Sequence, residues 1–316
     1  MKYVAFLFVC LSLLFHPLVA ADLKIGIVGT DTSHAPAFTS LLNDAAAPGH
    51  VPGARVVAAY KGGSPDLEAS ASRVERFARE LQEKWQVEIV PDIPTLCSKV
   101  DAVLLESVDG RVHLEQARQI IAARKPMFID KPLASTLEDA REIARLAREA
   151  GVPWFTSSSL RFTEIVTDLA GPGITGADVW GPGPLEQHHQ LDLSWYAIHP
   201  IEMLYTLLGP GCEEVSRIHT EEADVLVGRW KDGRLGVVRA IRPSGEYGAV
   251  VFRGRKAFRS SPDARHDYRP LVAEIVKFFQ TGKPPVPNEE SLEIFAFMDA
   301  AQRSKTDGRP VRLAKQ

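Results

Sequence analysis

Short apolar stretches alternate with longer stretches of helical spacing through the first half of the chain, and this alternation constrains the fold more than any other feature. The series begins with "LKIGIVG" and ends with "VPWFTSS" at residue 158. Alternating strands and helices form crossover units, which build a mostly parallel sheet covered on both faces. The predicted strands are 23–29, 54–60, 87–90, 101–107, 126–130 and 152–158, and the predicted helices are 35–43, 67–85, 113–123 and 136–150.

The pattern changes after Ser159. Glycine and proline crowd residues 171–184, and then strand-like runs follow, "ADVLVGRW", "RLGVVRAIR" and "YGAVVFRG", with "KDG" as a hairpin signal between the first two. Helical spacing returns only at 271–280 and 291–304. We therefore predict an α/β protein with two domains: residues 22–158 form the parallel sheet, and residues 159–316 form an α/β domain with an open antiparallel sheet.

Residues 1–21 are predicted to be a cleaved secretory signal. Lys2 precedes the apolar run 4–15, and the small residues of "VAA" fit a cleavage site. The alternative is a membrane anchor, for which the apolar run is short. The signal predicts a secreted or periplasmic protein without an integral membrane role. The net charge of −3 gives no reason to expect nucleic acid or an anionic membrane as a partner.

Five stretches in a fixed order carry a resemblance to a known family. They are "KIGIVG", "DAVLLESVDGRVHLEQARQIIAARKPMFIDKPLA", "SSSLRF", "WYAIHPIEMLYTLLG" and "VKFFQTGKPPVPNEESLEIFAFMDAAQRSK". This order resembles the Gfo/Idh/MocA oxidoreductases over nearly the whole mature chain. The resemblance implies an N-terminal Rossmann domain that binds NAD or NADP and a C-terminal domain for a sugar or polyol substrate. It also implies that the open C-terminal sheet is a surface for homo-oligomer contacts.

The turn after the first strand departs from the G-x-G-x-x-G pattern of dinucleotide-binding folds. Gly29 holds the first position, but Asp31 and His34 replace the other two glycines. A carboxylate at the second position opposes a pyrophosphate, unless Asp31 caps the following helix and leaves its N-terminus to a phosphate. The alternative is that Asp31 and His34 belong to a reshaped pocket. The resemblance places Thr30 in the same cofactor-binding turn.

Lys61 follows the second strand, where an acidic residue would hold the adenine ribose. A lysine and the nearby Ser64 suit a 2′-phosphate, which favours NADP over NAD; a solvated turn is the alternative. The resemblance implies further cofactor contacts around the fourth and fifth strands. They come from Ser107, His113, Asp130 and Lys131, although His113 also suits a structural role at a helix start.

The reacting groups are assigned by the resemblance to two motifs. "DKP" matches the E-K-P motif of the family, and Lys131 would lie between nicotinamide and the substrate hydroxyl. "WYAIHPIE" places His199 and Glu202 on one face of a helix, with Tyr196 one turn earlier. His199 is the candidate general acid/base, with a satisfied core histidine as the alternative. We expect a neighbouring carboxylate to raise its pKa while burial opposes this.

Arg161 matches the arginine–aromatic pair after the sixth strand and either orients substrate or holds the domain interface. "HHQLDLSWYAIH" gathers several histidines, but no second ligand cluster supports a metal, and the roles of His188 and His189 stay open. No G-x-S-x-G elbow supports a hydrolase. The leading hypothesis is an NAD(P)-dependent oxidoreductase with a tightly held cofactor. The alternative is a non-catalytic sugar-binding or assembly protein that retains the Rossmann architecture.

Overall fold

A computed structural model describes residues 22–314, so the predicted signal segment lies outside the described residues. The first sheet has six parallel strands in the order β3-β2-β1-β4-β5-β6, which confirms the predicted doubly wound α/β domain. All six predicted strands are present. They are β1 (Leu23–Val28), β2 (Ala54–Tyr60), β3 (Glu88–Val90), β4 (Ala102–Leu105), β5 (Met127–Ile129) and β6 (Trp154–Thr156).

Six helices cover the two faces of this sheet, and three of them differ from the prediction. The single helix predicted over 67–85 is broken into α2 and α3, and α4, which the sequence analysis missed, begins at a Pro-containing turn capped by Asp92. The boundaries of α6 follow the predicted signals: Thr136 accepts a hydrogen bond from the Asp139 N–H, and Gly151 ends the helix in a left-handed conformation. The helices are α1 (His34–Asn43), α2 (Glu68–Ala71), α3 (Val74–Trp85), α4 (Ile93–Lys99), α5 (His113–Ala122) and α6 (Leu137–Ala150).

The order of the strands places a switch point between β1 and β4. The chain leaves β1 toward β2 and β3 on one side and returns through β4 to β5 and β6 on the other. Ligands of open α/β sheets bind in the crevice at the carboxyl ends of the strands at such a point. The residues after β1, β4 and β5 therefore line the expected site.

The second sheet has seven strands in the order β12-β11-β7-β10-β9-β8-β13, and it is mixed. β10 pairs with β7 in parallel, while the other pairs are antiparallel. The Gly/Pro-rich stretch 171–184 contains β7, an interior strand that pairs with β10 on one side and β11 on the other. The strands are β7 (Gly176–Pro182), β8 (Cys212–His219), β9 (Ala223–Trp230), β10 (Leu235–Ile241), β11 (Gly248–Arg253), β12 (Lys256–Arg259) and β13 (Val311–Arg312).

Two helices, α8 (Ile198–Leu208) and α10 (Asn288–Asp307), pack on the inner face of the second sheet and fill the space between the sheets. The first of them, α8, is buried along nearly its whole length, and its core position explains its apolar sequence. Among residues 22–314, no helix has both the length and the apolar character needed to cross a membrane. The remaining helices are α7 (Glu164–Thr167), α8 (Ile198–Leu208), α9 (Arg269–Thr281) and α10 (Asn288–Asp307).

Candidate functional site

The turn between β1 and α1 packs tightly against the end of β4. Gly29 has a φ of +96°, and a side chain at this position would collide with the backbone of Ser107. Only glycine therefore fits this turn. The Thr30 hydroxyl donates to the Val74 carbonyl at the start of α3 (2.9 Å), and Thr30 is fully buried.

Asp31 does not cap α1, so the prediction that its carboxylate serves as the cap of this helix is wrong. Its carboxylate turns away from the helix and accepts hydrogen bonds from the Ser70 hydroxyl (2.6 Å) and the Val108 N–H (3.2 Å). The N-terminus of α1 has Ser33 as its cap residue, with no side-chain cap and no acidic residue in the first turn. Burial raises the pKa of Asp31, and its hydrogen bonds oppose this. At this end of α1 the His34 N–H donates to the Thr32 hydroxyl (3.3 Å), and no carboxylate meets the helix amides.

The sequence analysis missed Glu106, which follows β4 at the switch point. Its N–H donates to the Val28 carbonyl, so it sits directly beside β1. The side chain is fully buried, and neither carboxyl oxygen has a hydrogen-bond partner. Burial raises its pKa well above the usual range, and the nearby Asp130 and Asp31 raise it further. Burial therefore favours the neutral form of Glu106.

His34 and Asp130 form a buried pair across the crevice. The His34 Nδ1 lies 2.6 Å from the Asp130 carboxylate, whose other oxygen accepts from the Lys131 N–H (2.8 Å). Burial opposes ionisation of Asp130, but His34 and Lys131 together hold its pKa below the usual range. Asp130 thus fixes the backbone that carries Lys131.

Lys131, Tyr196, His199 and Tyr247 form what we call the lysine–histidine cluster. The Lys131 Nζ lies 5.4 Å from the centre of the Tyr196 ring, and that ring lies 5.5 Å from the His199 ring. Tyr247 lies on the other side of His199, at 6.0 Å. The structure therefore brings together the lysine, histidine and tyrosine selected from the sequence, and it adds Tyr247.

Both basic groups of the cluster are less basic than usual. Burial lowers the pKa of His199 well below its usual range, and the charge on Lys131 lowers it further. Burial also lowers the pKa of Lys131, while Asp130 opposes this. The two expected effects are both present: the Asp130 carboxylate raises the pKa of His199, but desolvation outweighs it. His199 is neutral at physiological pH.

Ser158 holds the His199 ring, a contact that the sequence analysis did not identify. The Ser158 Oγ lies 2.7 Å from the His199 Nδ1 and also accepts a hydrogen bond from the Leu160 N–H. This contact occupies one ring nitrogen and leaves Nε2 for a substrate. The signal was the serine run "SSS" just after β6, at the carboxyl edge of the first sheet.

Glu202 serves Arg161 rather than His199. The Glu202 carboxylate accepts from the Arg161 Nε (2.8 Å) and the Ser158 N–H (3.0 Å), and Arg161 also donates to Glu290 of α10 (2.7 Å). All of these side chains are buried. This arrangement agrees with the prediction that Arg161 holds the domain interface rather than orienting substrate. It corrects the assignment of Glu202 as a catalytic partner of His199.

The remaining predicted cofactor residues lie apart from the cluster. The Lys61 ammonium pairs with Glu75 of α3 (2.7 Å), and both side chains are exposed. His113 is fully buried with both ring nitrogens against backbone carbonyls, so it braces the start of α5 rather than facing a cofactor. The Ser107 hydroxyl donates to Gln116 (2.9 Å).

Two more aromatic residues near the cluster were missed because the segment that carries them has no regular pattern. Tyr268 contacts the His34 ring edge-on at 4.7 Å, and His266 lies 6.3 Å from Tyr247. Within residues 22–314, no group of three or more His, Cys, Asp or Glu side chains is arranged to hold a metal. In "HHQLD", His188 pairs with Glu186 (2.6 Å) and His189 pairs with Asp109 (3.1 Å).

The residues of the crevice suit the nicotinamide end of a dinucleotide. They suit its pyrophosphate only after a movement of α2. The α1 N-terminus has no side-chain cap, so its amides suit an anion. Thr30 and Asp31 are nevertheless fully buried under α2. We infer that a dinucleotide reaches this turn only when α2 moves, which breaks the Asp31–Ser70 hydrogen bond.

Comparisons with known proteins agree with this description. Residues 23–157 match the GFO_IDH_MocA model, described as an oxidoreductase family with an NAD-binding Rossmann fold, which confirms the resemblance found in the motifs. The chain is 50% identical over 62 residues to 1,5-anhydro-D-fructose reductase of Ensifer adhaerens, covering 20% of this chain and 18% of the relative. It is 33% identical over 129 residues to inositol 2-dehydrogenase of Paracoccus denitrificans, covering 41% and 34%.

The matched segments thus span about a fifth to a third of the curated relatives. The whole fold is similar to the crystal structure of myo-inositol dehydrogenase from Lactobacillus casei in complex with NAD(H) and myo-inositol. The TM-score is 0.71 at 18% identity, over 94% of this chain and 98% of that one. At this identity the likeness establishes the fold of both domains.

Proposed function

We propose an activity for this chain, which belongs through residues 23–157 to the Gfo/Idh/MocA oxidoreductase family. It interconverts a hydroxyl and a carbonyl group on a sugar, glycoside or polyol with NAD or NADP. The observation that carries the proposal is the lysine–histidine cluster. Lys131 and His199, both with lowered pKa values, face one exposed tyrosine at the carboxyl edge of the first sheet.

The chain's own residues supply the proton transfer. The nicotinamide, when bound, accepts or supplies the hydride. Lys131 donates a hydrogen bond to the reacting oxygen and stabilises its negative charge. Neutral His199, held at Nδ1 by Ser158, takes the hydroxyl proton at Nε2 during oxidation and returns it during reduction. The Tyr196 ring covers Lys131 and limits access of water to the reacting oxygen.

Lys61 supports NADP as the preferred nucleotide. Its ion pair with Glu75 is exposed, and such pairs contribute only about 0–1 kcal/mol. A 2′-phosphate therefore replaces Glu75 as the partner of Lys61 with little loss of stability.

A second candidate function is a non-catalytic carbohydrate-binding or assembly protein. The observation that favours it is the closed turn: Asp31 occupies the second glycine position, and Glu106 adds an unpartnered acid nearby. In this case α2 stays in place, and the cluster binds a sugar without a nucleotide.

The content of nucleotide in the folded protein decides between the two candidates. Protein purified without added nucleotide is denatured, and the supernatant is analysed by mass spectrometry. The oxidoreductase proposal expects near-stoichiometric NADP or NAD. It also expects thermal stabilisation when nucleotide is added to stripped protein, because ligands that bind only the folded state raise its stability. No released nucleotide and no stabilisation at millimolar concentrations contradict it and favour the binding protein.

We also propose that the protein is exported and that its nucleotide is tightly held. The positive residue, apolar run and small residues of 1–21 support export, although they lie outside the described residues. Retention follows because no pool of free nucleotide is expected outside the cytoplasm. N-terminal sequencing of protein from the native host tests this: a start near Asp22 is expected, and an intact Met1 in the cytoplasm contradicts it.

The outer face of the second sheet supports self-association as part of the same proposal. Leu235 and Phe252 align on either side of Gly176 and are 51% and 36% exposed. The neighbouring row brings Val227 and Val237 together on the same face. Arg229 lies opposite Leu235 and Asp178 lies opposite Val237, so this sheet face mixes apolar and charged side chains. Its exposed apolar residues suit an isologous contact with a second copy.

A further inference from the structure

A groove of about 980 Å³ runs beside the lysine–histidine cluster, and the proposed proton transfer does not use it. One wall is residues 66–73, which include α2, and the other is residues 185–195. We call it the side groove. Pockets for drug-sized ligands measure about 300–1,000 Å³, so the side groove has room for more than one sugar ring.

A hydrogen-bond network with a buried centre holds the wall formed by residues 185–195 in place. Arg111 donates to Asp66 through both terminal nitrogens (2.8 and 2.9 Å) and to Asp109 through Nε (3.0 Å). Asp109 faces the His189 Nε2 (3.1 Å), and the His189 ring meets the Trp195 ring edge-on at 5.4 Å. The side chains of Asp109 and His189 are fully buried. The network therefore fixes the half-buried Trp195 and explains the histidine-rich motif without a metal.

The exposed groups of the side groove are those that recognise sugars. Trp195 offers a flat apolar surface to the C–H face of a sugar ring. Around it the lining side chains are planar or charged hydrogen-bonding groups that suit hydroxyls. They include Arg73, Glu68, Gln187, His188 and Gln302.

The side groove lies next to the cluster. Tyr196 follows Trp195 in the chain, their rings lie 6.5 Å apart, and Tyr196 lies 5.4 Å from the Lys131 Nζ. Arg73, on the opposite wall, is close enough for its charge to act on Lys131. A ring bound on Trp195 is therefore next to a ring bound at Lys131.

We propose that the side groove binds the second and later sugar units of a glycoside or oligosaccharide whose terminal unit lies at Lys131. This inference rests on the proposed function for the position of the terminal unit. It names the substrate class as an extended sugar rather than a free monosaccharide or a free cyclitol.

Calorimetric titration with sugars of increasing length tests the proposal. The probes are glucose, galactose, xylose and myo-inositol, together with di-, tri- and tetrasaccharides of the three sugars. We expect at least one oligosaccharide to bind about tenfold or more tightly than its monosaccharide, which corresponds to about 1.4 kcal/mol. In Trp195→Ala this gain falls to about threefold or less, while affinity for the monosaccharide is unchanged. Phe258→Ala, an exposed aromatic on β12, is the matched control and leaves both affinities unchanged.

Arg73→Met, on the opposite wall, keeps the test valid if Trp195→Ala does not fold, and it also reduces the gain. A wild-type protein that shows no gain with chain length overturns the proposal, as does a gain that survives both substitutions. The result of this sugar titration can be distinguished from the result of the nucleotide test of the proposed function. Length-dependent binding without retained nucleotide leaves the side groove standing and removes the oxidoreductase. Retained nucleotide without length-dependent binding supports the oxidoreductase and overturns the side-groove proposal.

Discussion

Replacing Glu106 is predicted to stabilise the protein, and the gain is predicted to grow with pH. Glu106 is fully buried, and neither carboxyl oxygen has a partner. A buried polar group without a hydrogen bond costs about 1–3 kcal/mol. Glu106→Met keeps a similar shape and removes both polar atoms, so its free energy of unfolding should exceed that of wild type by about 1–3 kcal/mol at pH 5.

The pH dependence follows from the direction of the pKa shift. Burial raises the folded-state pKa of Glu106 well above its usual value, and Asp130 and Asp31 add to the effect. The folded protein then keeps a proton that the unfolded chain releases. This contribution to stability is fully present below the unfolded pKa, about 4.3, and is lost as pH rises through the folded pKa. His34, His113 and Lys131 also lie near these acids, so the comparison must be between variants and not between pH values alone.

Urea denaturation of wild type, Glu106→Met and Glu106→Gln at pH 5, 6, 7 and 8 measures the effect. Glu106→Gln keeps the buried polar atoms but cannot titrate, so it isolates the pH-dependent part. Glu83→Gln, exposed on α3, is the matched control and should follow wild type at every pH. A Glu106→Met protein less stable than wild type, or a difference that does not grow with pH, would show that Glu106 has a partner in solution and refute the reasoning.

Three further outcomes are expected. Ser70→Ala removes the partner of Asp31 that fixes α2, so nucleotide should bind the stripped protein several-fold more tightly by calorimetry; unchanged or weaker binding contradicts the need for α2 to move. Ser158→Ala should lower kcat about tenfold with little change in KM and move the acid limb of the pH–rate profile to lower pH, because the Nδ1–H of His199 loses an acceptor that stabilises the protonated ring most; an unmoved limb assigns Ser158 a structural role only. Val237→Glu should shift the sedimentation coefficient to that of a monomer, and an unchanged coefficient removes the sheet face as the contact.

The parallel half of the fold was predictable because its signals are local. Each buried strand reads as an apolar run, and Thr136 and Gly151 mark the ends of α6. The second half was less predictable. β7 lies in a stretch rich in glycine and proline, and its strand conformation depends on pairing with β10 and β11 far along the chain. Such tertiary pairing overrides local propensity.

The site was predictable where a motif fixes a position on the sheet edge, as for Lys131 and His199. It was not predictable where the outcome depends on which charges become buried together. Glu202 is three residues from His199 on α8, yet it binds Arg161 because that guanidinium is buried beside it. The direction of the His199 pKa shift likewise depends on burial, which sequence spacing does not show.

Single-turnover hydride transfer in Lys131→Met tests the central claim most directly. Protein loaded with NAD or NADP is mixed with a sugar or polyol that the wild type oxidises, and reduced nicotinamide is followed by its absorbance. The account predicts a rate about 10²–10⁴-fold below wild type with unchanged nucleotide affinity, because the lysine stabilises the reacting oxygen and does not hold the nucleotide. Lys283→Met, an exposed lysine beyond α9, should retain the wild-type rate. A Lys131→Met rate within twofold of wild type would contradict the assignment of Lys131 to the reaction.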